Sequence, residues 1–148
     1  MLRPAPILLM AVFGMIGCKT AQPADVVGTW TVTDQARQEF PLEVQRASGV
    51  LVVNADGTFE AKELPEELEP TNGKPQVRLA SGNGTWVLLR EDTGQQLELE
   101  FHKFESGDMG SGGGYGFPVD ISSGWSSWEL HYFLGDPDNA PRVTLVRR

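Results

Sequence analysis

Leu97-Glu98-Leu99-Glu100-Phe101-His102 is the stretch that decides the fold. Its apolar residues fall at every second position, so Leu97, Leu99 and Phe101 share one face and Glu98, Glu100 and His102 the other. A period of two belongs to a strand with one buried side and one wet side, and a helix cannot carry it. Residues 128–134 repeat the pattern, with Leu130, Tyr132 and Leu134 opposite Glu129, His131 and Phe133. Strands of this kind build antiparallel sheets that present one face to a core.

Outward from these two segments, short β-branched and aromatic runs recur at residues 26–33, 42–46, 50–54, 58–63, 76–80, 85–90, 117–121 and 142–146. Turn residues separate them. Ala55-Asp56-Gly57 is a hairpin turn in which Gly57 supplies the positive φ, and Glu91-Asp92-Thr93-Gly94 and residues 135–139 are further turns. Residues 65–75 are acidic and hold three prolines, so they read as a loop, and residues 106–116 read as a mobile glycine-rich one. Seventeen glycines and ten prolines are scattered along the chain, and almost nothing looks helical (Gly 17, Pro 10). About eight to ten strands in sequential order predict an all-β domain. A meander of that length tends to close on itself and so remove its edges. A small antiparallel up-and-down β-barrel is therefore expected, with a two-layer sandwich as the alternative.

The N-terminus has a different character. Arg3 supplies a positive charge, Ile7-Leu8-Leu9-Met10-Ala11-Val12-Phe13 an apolar run, and small residues lead to Cys18. That is the order of a secretory signal, and the apolar run is well short of the ~20 residues that span a bilayer as a helix. Cys18 is the sole cysteine, so no internal disulfide can form. Met15-Ile16-Gly17-Cys18 resembles the lipobox of bacterial lipoproteins, with Gly17 in the small-residue position and Met15 where leucine is usual. The resemblance implies cleavage before Cys18 and diacylation (palmitate-type lipid) on it. An ordinary signal cut at another small residue would instead leave a free thiol. Lys19 follows, where enterobacterial lipoproteins held at the inner membrane carry aspartate, so the resemblance implies the outer membrane, facing the periplasm. The expected organisation is a signal peptide over 1–17, the lipidated cysteine and a polar tether over 18–25, and one β domain over 26–148.

The chain carries 12 basic and 20 acidic residues, for a net charge of −8. Such a surface repels nucleic acid and makes any charged partner a basic one.

Gly28-Thr29-Trp30 and Gly84-Thr85-Trp86 each open a strand, and Asp56-Gly57-Thr58-Phe59 turns a hairpin between them. In this the chain resembles the bacterial lipocalin-like (calycin-type) small barrels. The resemblance implies that the first tryptophan plugs the closed end of the barrel. It also implies a basic residue near the C-terminus, Arg142 or Arg147, lying over that tryptophan, and a small apolar or amphipathic ligand in the barrel mouth.

Residues fit for chemistry are few. Ser122-Ser123-Gly124-Trp125-Ser126 lacks the Gly-x-Ser-x-Gly elbow, and no histidine is near it in sequence. The acidic pairs Glu66-Glu67 and Asp136/Asp138 fall in predicted loops and turns, where water keeps carboxylates ordinary. No glycine loop opens a helix to hold phosphate. The expectation is a protein that is not an enzyme and needs no cofactor. His102 and His131 each follow a carboxylate by two residues, Glu100 and Glu129, on one strand face. If those faces met they could hold zinc or copper; if not, both histidines are simply solvated. Tyr115, Phe117, Trp125 and Trp128 cluster around the glycine-rich segment and are the candidates for ligand or partner binding, since aromatic residues give much contact area for little lost entropy. Ser111-Gly112-Gly113-Gly114-Tyr115 is also similar to the Ser-Gly-x-x-Tyr loop of periplasmic c-type lysozyme inhibitors, although that family's Thr-Lys-Gly motif and paired cysteines are missing here. This implies an alternative role as an inhibitor, immunity or accessory lipoprotein with a basic envelope protein as partner.

Overall fold

The barrel strands follow one another in sequence order, and the first pairs with the last. The computed structural model describes residues 19–33, 42–71, 74–92, 94–106, 111–112, 114–124, 127–135, 138 and 141–148. The leader, Cys18 and Trp125 lie outside the described residues. Eight antiparallel strands form a closed up-and-down barrel, so the sandwich alternative is not adopted. They are β1 (Gly28–Val32), β2 (Val50–Val53), β3 (Thr58–Thr71), β4 (Lys74–Glu91), β5 (Gly94–Ser106), β7 (Tyr115–Ser123), β8 (Trp128–Phe133) and β9 (Arg142–Arg147). A ninth short strand, β6 (Ser111–Gly112), folds back along β5, with Phe104 opposite Gly112. Pairing of Thr31 with Val146 joins β1 to β9 and removes the two edges that an open meander would leave.

The alternating faces fall as their sequence implies. Leu97, Leu99 and Phe101 are 0–1% exposed, and Leu130 and Tyr132 are also buried. Trp30, Phe59, Leu97, Leu99, Leu130 and Leu145 meet in one cluster with no surface open to water. The barrel is thus packed solid from its Trp30 end through its waist, and each such side chain stabilises the fold by about 1.5–3 kcal/mol relative to exposure. Strict alternation breaks once on β5, between Asn83 and Gly84 of the facing strand. The irregularity brings both Phe101 and Phe104 inward. It depends on Gly84, whose added Cβ would stand 1.8 Å from the Glu100 carbonyl oxygen.

Four expectations are corrected. Residues 42–46 do not form a strand: Leu42–Gln45 is a helical turn (α2), closed by the Arg46 N–H donating to the Leu42 carbonyl at 3.2 Å. Residues 65–71 and 74–75 are strand, not loop. β3 and β4 run on as a long two-stranded ribbon that pairs Pro65 with Leu79 and Glu66 with Arg78. The runs at 76–80 and 85–90 are accordingly one strand. Prolines are tolerated in the ribbon because, among the described residues, its outer edges carry no strand ladder: β2 pairs with β3 only as far as Lys62, and β5 joins β4 only from Ala80. The segment ahead of β1 docks on the barrel. Pro23–Val26 (α1) is a helical turn, and buried Ala21 accepts a hydrogen bond from the Gln95 side chain at 2.9 Å.

Candidate ligand cleft between β7 and β8

One end of the barrel is sealed by the first Gly-Thr-Trp. Trp30 is fully buried, and its indole N–H donates to the Val26 carbonyl at 2.8 Å. The Arg147 guanidinium lies over the ring, 5.3 Å from its centroid, so Arg147 rather than Arg142 takes the place over the tryptophan. Its Nη2 donates to the carbonyls of Asp25 at 2.8 Å, Ala24 at 3.3 Å and Val27, tying α1 across that end. Trp86, from the second Gly-Thr-Trp, donates its indole N–H to the Asn54 carbonyl at 2.9 Å and braces the 54–57 turn.

The other end is different. β7 and β8 pair only from Asp120 opposite His131 to Ser123 opposite Trp128. Beyond that the strands part. Tyr115 to Val119 pair with β5 alone, and Tyr132 and Phe133 with β9 alone, among the described residues. The gap is a cleft of about 370 Å³ whose lining includes Glu66, Tyr115, Phe117, Tyr132, Phe133 and Leu134. Asp120 stands at its edge.

The floor of the cleft comes from the β3–β4 ribbon, which crosses the mouth. The Tyr132 hydroxyl donates to the Pro65 carbonyl at 2.8 Å. Next to Pro65, Glu66 is 3% exposed and bonds Arg78 Nε through Oε2 at 2.7 Å. Arg78 lies over the Phe104 ring, 5.6 Å from its centroid. The aromatic rings interlock: Phe117 meets Tyr132 edge to face at 4.7 Å, and Phe104 meets Tyr115 at 5.2 Å. Burial, and then the Glu66 carboxylate, push the Tyr115 phenol up to about 12. The same two causes push the fully buried Tyr132 phenol well above its ordinary range. Both hydroxyls therefore stay protonated at neutral pH and act as donors.

The four aromatic candidates do not form one site. Tyr115 and Phe117 stand together at the cleft, whereas Trp128 sits opposite Ser123 at the other end of β7. Trp125 lies outside the described residues. The two histidines are also apart. His131 is level with Asp120, and Asp120 with Gln96, while His102 lies farther along β5 with β7 between the two strands. Among the described residues no group of three His, Cys, Asp or Glu side chains is placed to hold a metal ion. His102 is exposed and 3.2 Å from the Thr85 hydroxyl. His131 is half-buried, 4.0 Å from the Asp120 carboxylate. Its pKa is lowered by burial first and by Arg142 second, against the opposing pull of Asp120 and Glu129.

Glu66, Arg78 and Tyr132 were not singled out by the sequence. The expectation that Glu66 is an ordinary solvated carboxylate is corrected by its burial and its bond to Arg78. The signal that could have found it is Asn72-Gly73, a strong hairpin dipeptide that would set the acidic run against residues 74–79.

The chain matches no family model, and no curated protein or solved structure is significantly similar to it.

Proposed function

We propose that this protein is a lipid-anchored lipoprotein of the cell envelope whose barrel binds a small amphipathic ligand at its open end, in the cleft between β7 and β8. The observation that carries the reading is the parting of those strands beside Tyr115 and Phe117. The interior supports the same placement, because the side chains at the waist leave no water-sized space beside them. A cleft of about 370 Å³ falls at the low end of the range for small-molecule sites. Its apolar rings would take the greasy part of such a ligand, and the tyrosine hydroxyls and Glu66 its polar part.

The anchor rests on the sequence around Cys18 and on its likeness to a lipobox. A diacylated cysteine tethers a protein to a leaflet without any spanning helix. Growth with labelled palmitate tests it: label should enter the protein and be lost in Cys18→Ser, and an unlabelled wild-type protein would refute the anchor.

The binding function is tested by native mass spectrometry after incubation with an extract of the producing cell's envelope. The expected result is an adduct of small-molecule mass that Phe117→Ala fails to retain. A spectrum without such an adduct would count against the carrier reading.

A further inference from the structure

We infer that the cleft recognises the positive end of its ligand, an organic ammonium group borne on a short apolar chain. The inference rests on the binding function proposed above and names the chemical class.

The charged residues lining the cleft are Glu66 and Asp120, and no lysine or arginine lines it among the described residues. Arg78, the partner of Glu66, is drawn aside over Phe104 and is not part of the lining. Asp120 accepts from the Gln96 amide at 3.2 Å and keeps its side chain 47% exposed, so it can meet a ligand without being dug out. The rings of Tyr115, Phe117, Tyr132 and Phe133 line the same cleft as the two carboxylates. Aromatic faces carry partial negative charge and attract cations, most effectively weakly hydrated ones such as substituted ammonium groups. An anionic headgroup would instead face the Asp120 carboxylate, the carboxylate end of the Glu66–Arg78 ion pair and four electron-rich rings. The net charge of −8 acts in the same direction at long range. The apolar part of the ligand would lie on Phe117, Pro118 and Leu134, which complete the walls.

The experiment titrates hexyltrimethylammonium, hexanesulfonate and hexanol separately into isotope-labelled protein. It follows the amide resonances of β7 and β8 that flank the cleft. The three probes share an apolar chain and differ in the head. The ammonium probe should bind about tenfold more tightly than the sulfonate. That preference should shrink severalfold in Asp120→Asn, whose exposed position leaves folding intact, and in Glu66→Gln if that variant folds. Equal or stronger binding of hexanesulfonate at the same amides would overturn the cation inference while leaving an amphiphile site in place. Failure of all three to move those amides would overturn the binding function itself. Retention of the full ammonium preference in folded Asp120→Asn and Glu66→Gln would overturn the assignment to these carboxylates.

Discussion

Tyr132 on β8 donates its hydroxyl to the carbonyl of Pro65 on β3, at 2.8 Å, and so ties the ribbon across the barrel mouth to the wall it crosses. β3 and β8 do not pair, so this single bond links strands that the ladder keeps apart. It also sets Glu66, the next residue, beside Tyr115 and Phe117. Tyr132→Phe keeps the ring and removes the donor, leaving the Pro65 carbonyl unpaired. The expected cost is about 1–2 kcal/mol, with faster hydrogen exchange in β3 and β4 beyond Lys62 and unchanged exchange around Trp30. Uniformly faster exchange through the whole barrel would contradict the local role given to this bond.

Arg147 secures the opposite end. Its guanidinium covers Trp30 and gathers three carbonyls of the 24–27 segment. Arg147→Ala removes the cation–π contact and leaves those carbonyls to water. The expected loss is about 2 kcal/mol in urea unfolding at unchanged slope. Arg147→Lys should recover less than half of it, since an ammonium cannot reproduce the planar fork over the ring. Full recovery by lysine would mean that charge alone is at work.

The chain has two tyrosines, Tyr115 and Tyr132, and the fold keeps both phenols protonated beyond their usual range (Tyr 2). An unfolded phenol ionises near pH 10. A group whose pKa is raised by folding contributes stability that is complete below its unfolded value and lost as pH rises toward its folded one. Stability should therefore hold to about pH 10 and fall between there and about 12, where Tyr115 titrates. Phenolate absorbance measures this directly. The native protein should show almost none at pH 10, where the urea-unfolded chain is half ionised. Equal phenolate in both would refute the hold placed on Tyr132 by burial and on the partly exposed Tyr115 by partial burial and Glu66.

Two glycines offer a contrast in packing. A Cβ on Gly84 would lie 1.8 Å from the backbone carbonyl of Glu100, whereas one on Gly116 would meet only the tip of the Glu98 side chain, at 2.7 Å. Backbone cannot yield there without breaking the β4–β5 ladder; a glutamate tip can swing into water. Gly84→Ala should cost about 3 kcal/mol or more and Gly116→Ala less than about 1. Similar thermal midpoints for the two variants would show that the irregularity at Gly84 is not needed.

The strand order was legible because inward and outward residues alternate without ambiguity at 97–102 and 128–134. Leu97, Leu99, Leu130 and Tyr132 are all buried, and the meander closes as such faces require. The ribbon was not legible. Pro65, Pro70 and Pro75 read as breakers, yet proline forbids only a ladder bond, and among the described residues the outer edges of the ribbon have none to lose. The cleft was half legible. Tyr115 and Phe117 stand out as aromatic residues beside a glycine-rich segment, while Glu66 looks like any loop carboxylate until the ribbon folds over the mouth. The histidine pair shows the limit of face patterns: His102 is solvated as its alternation implies, His131 is largely buried, and the intervening β7 keeps the two apart.

The ligand proposed for this barrel would sit where β7 and β8 part and not within the barrel. Amide shift mapping of the protein with the small molecule recovered from its envelope tests it most directly. Shifts are expected at 115–119 and 132–135 and along the Glu66 segment, with Trp30, Leu97, Leu145 and Arg147 unmoved. Shifts centred on the barrel waist or on the Trp30 end, with the β7–β8 cleft silent, would contradict it.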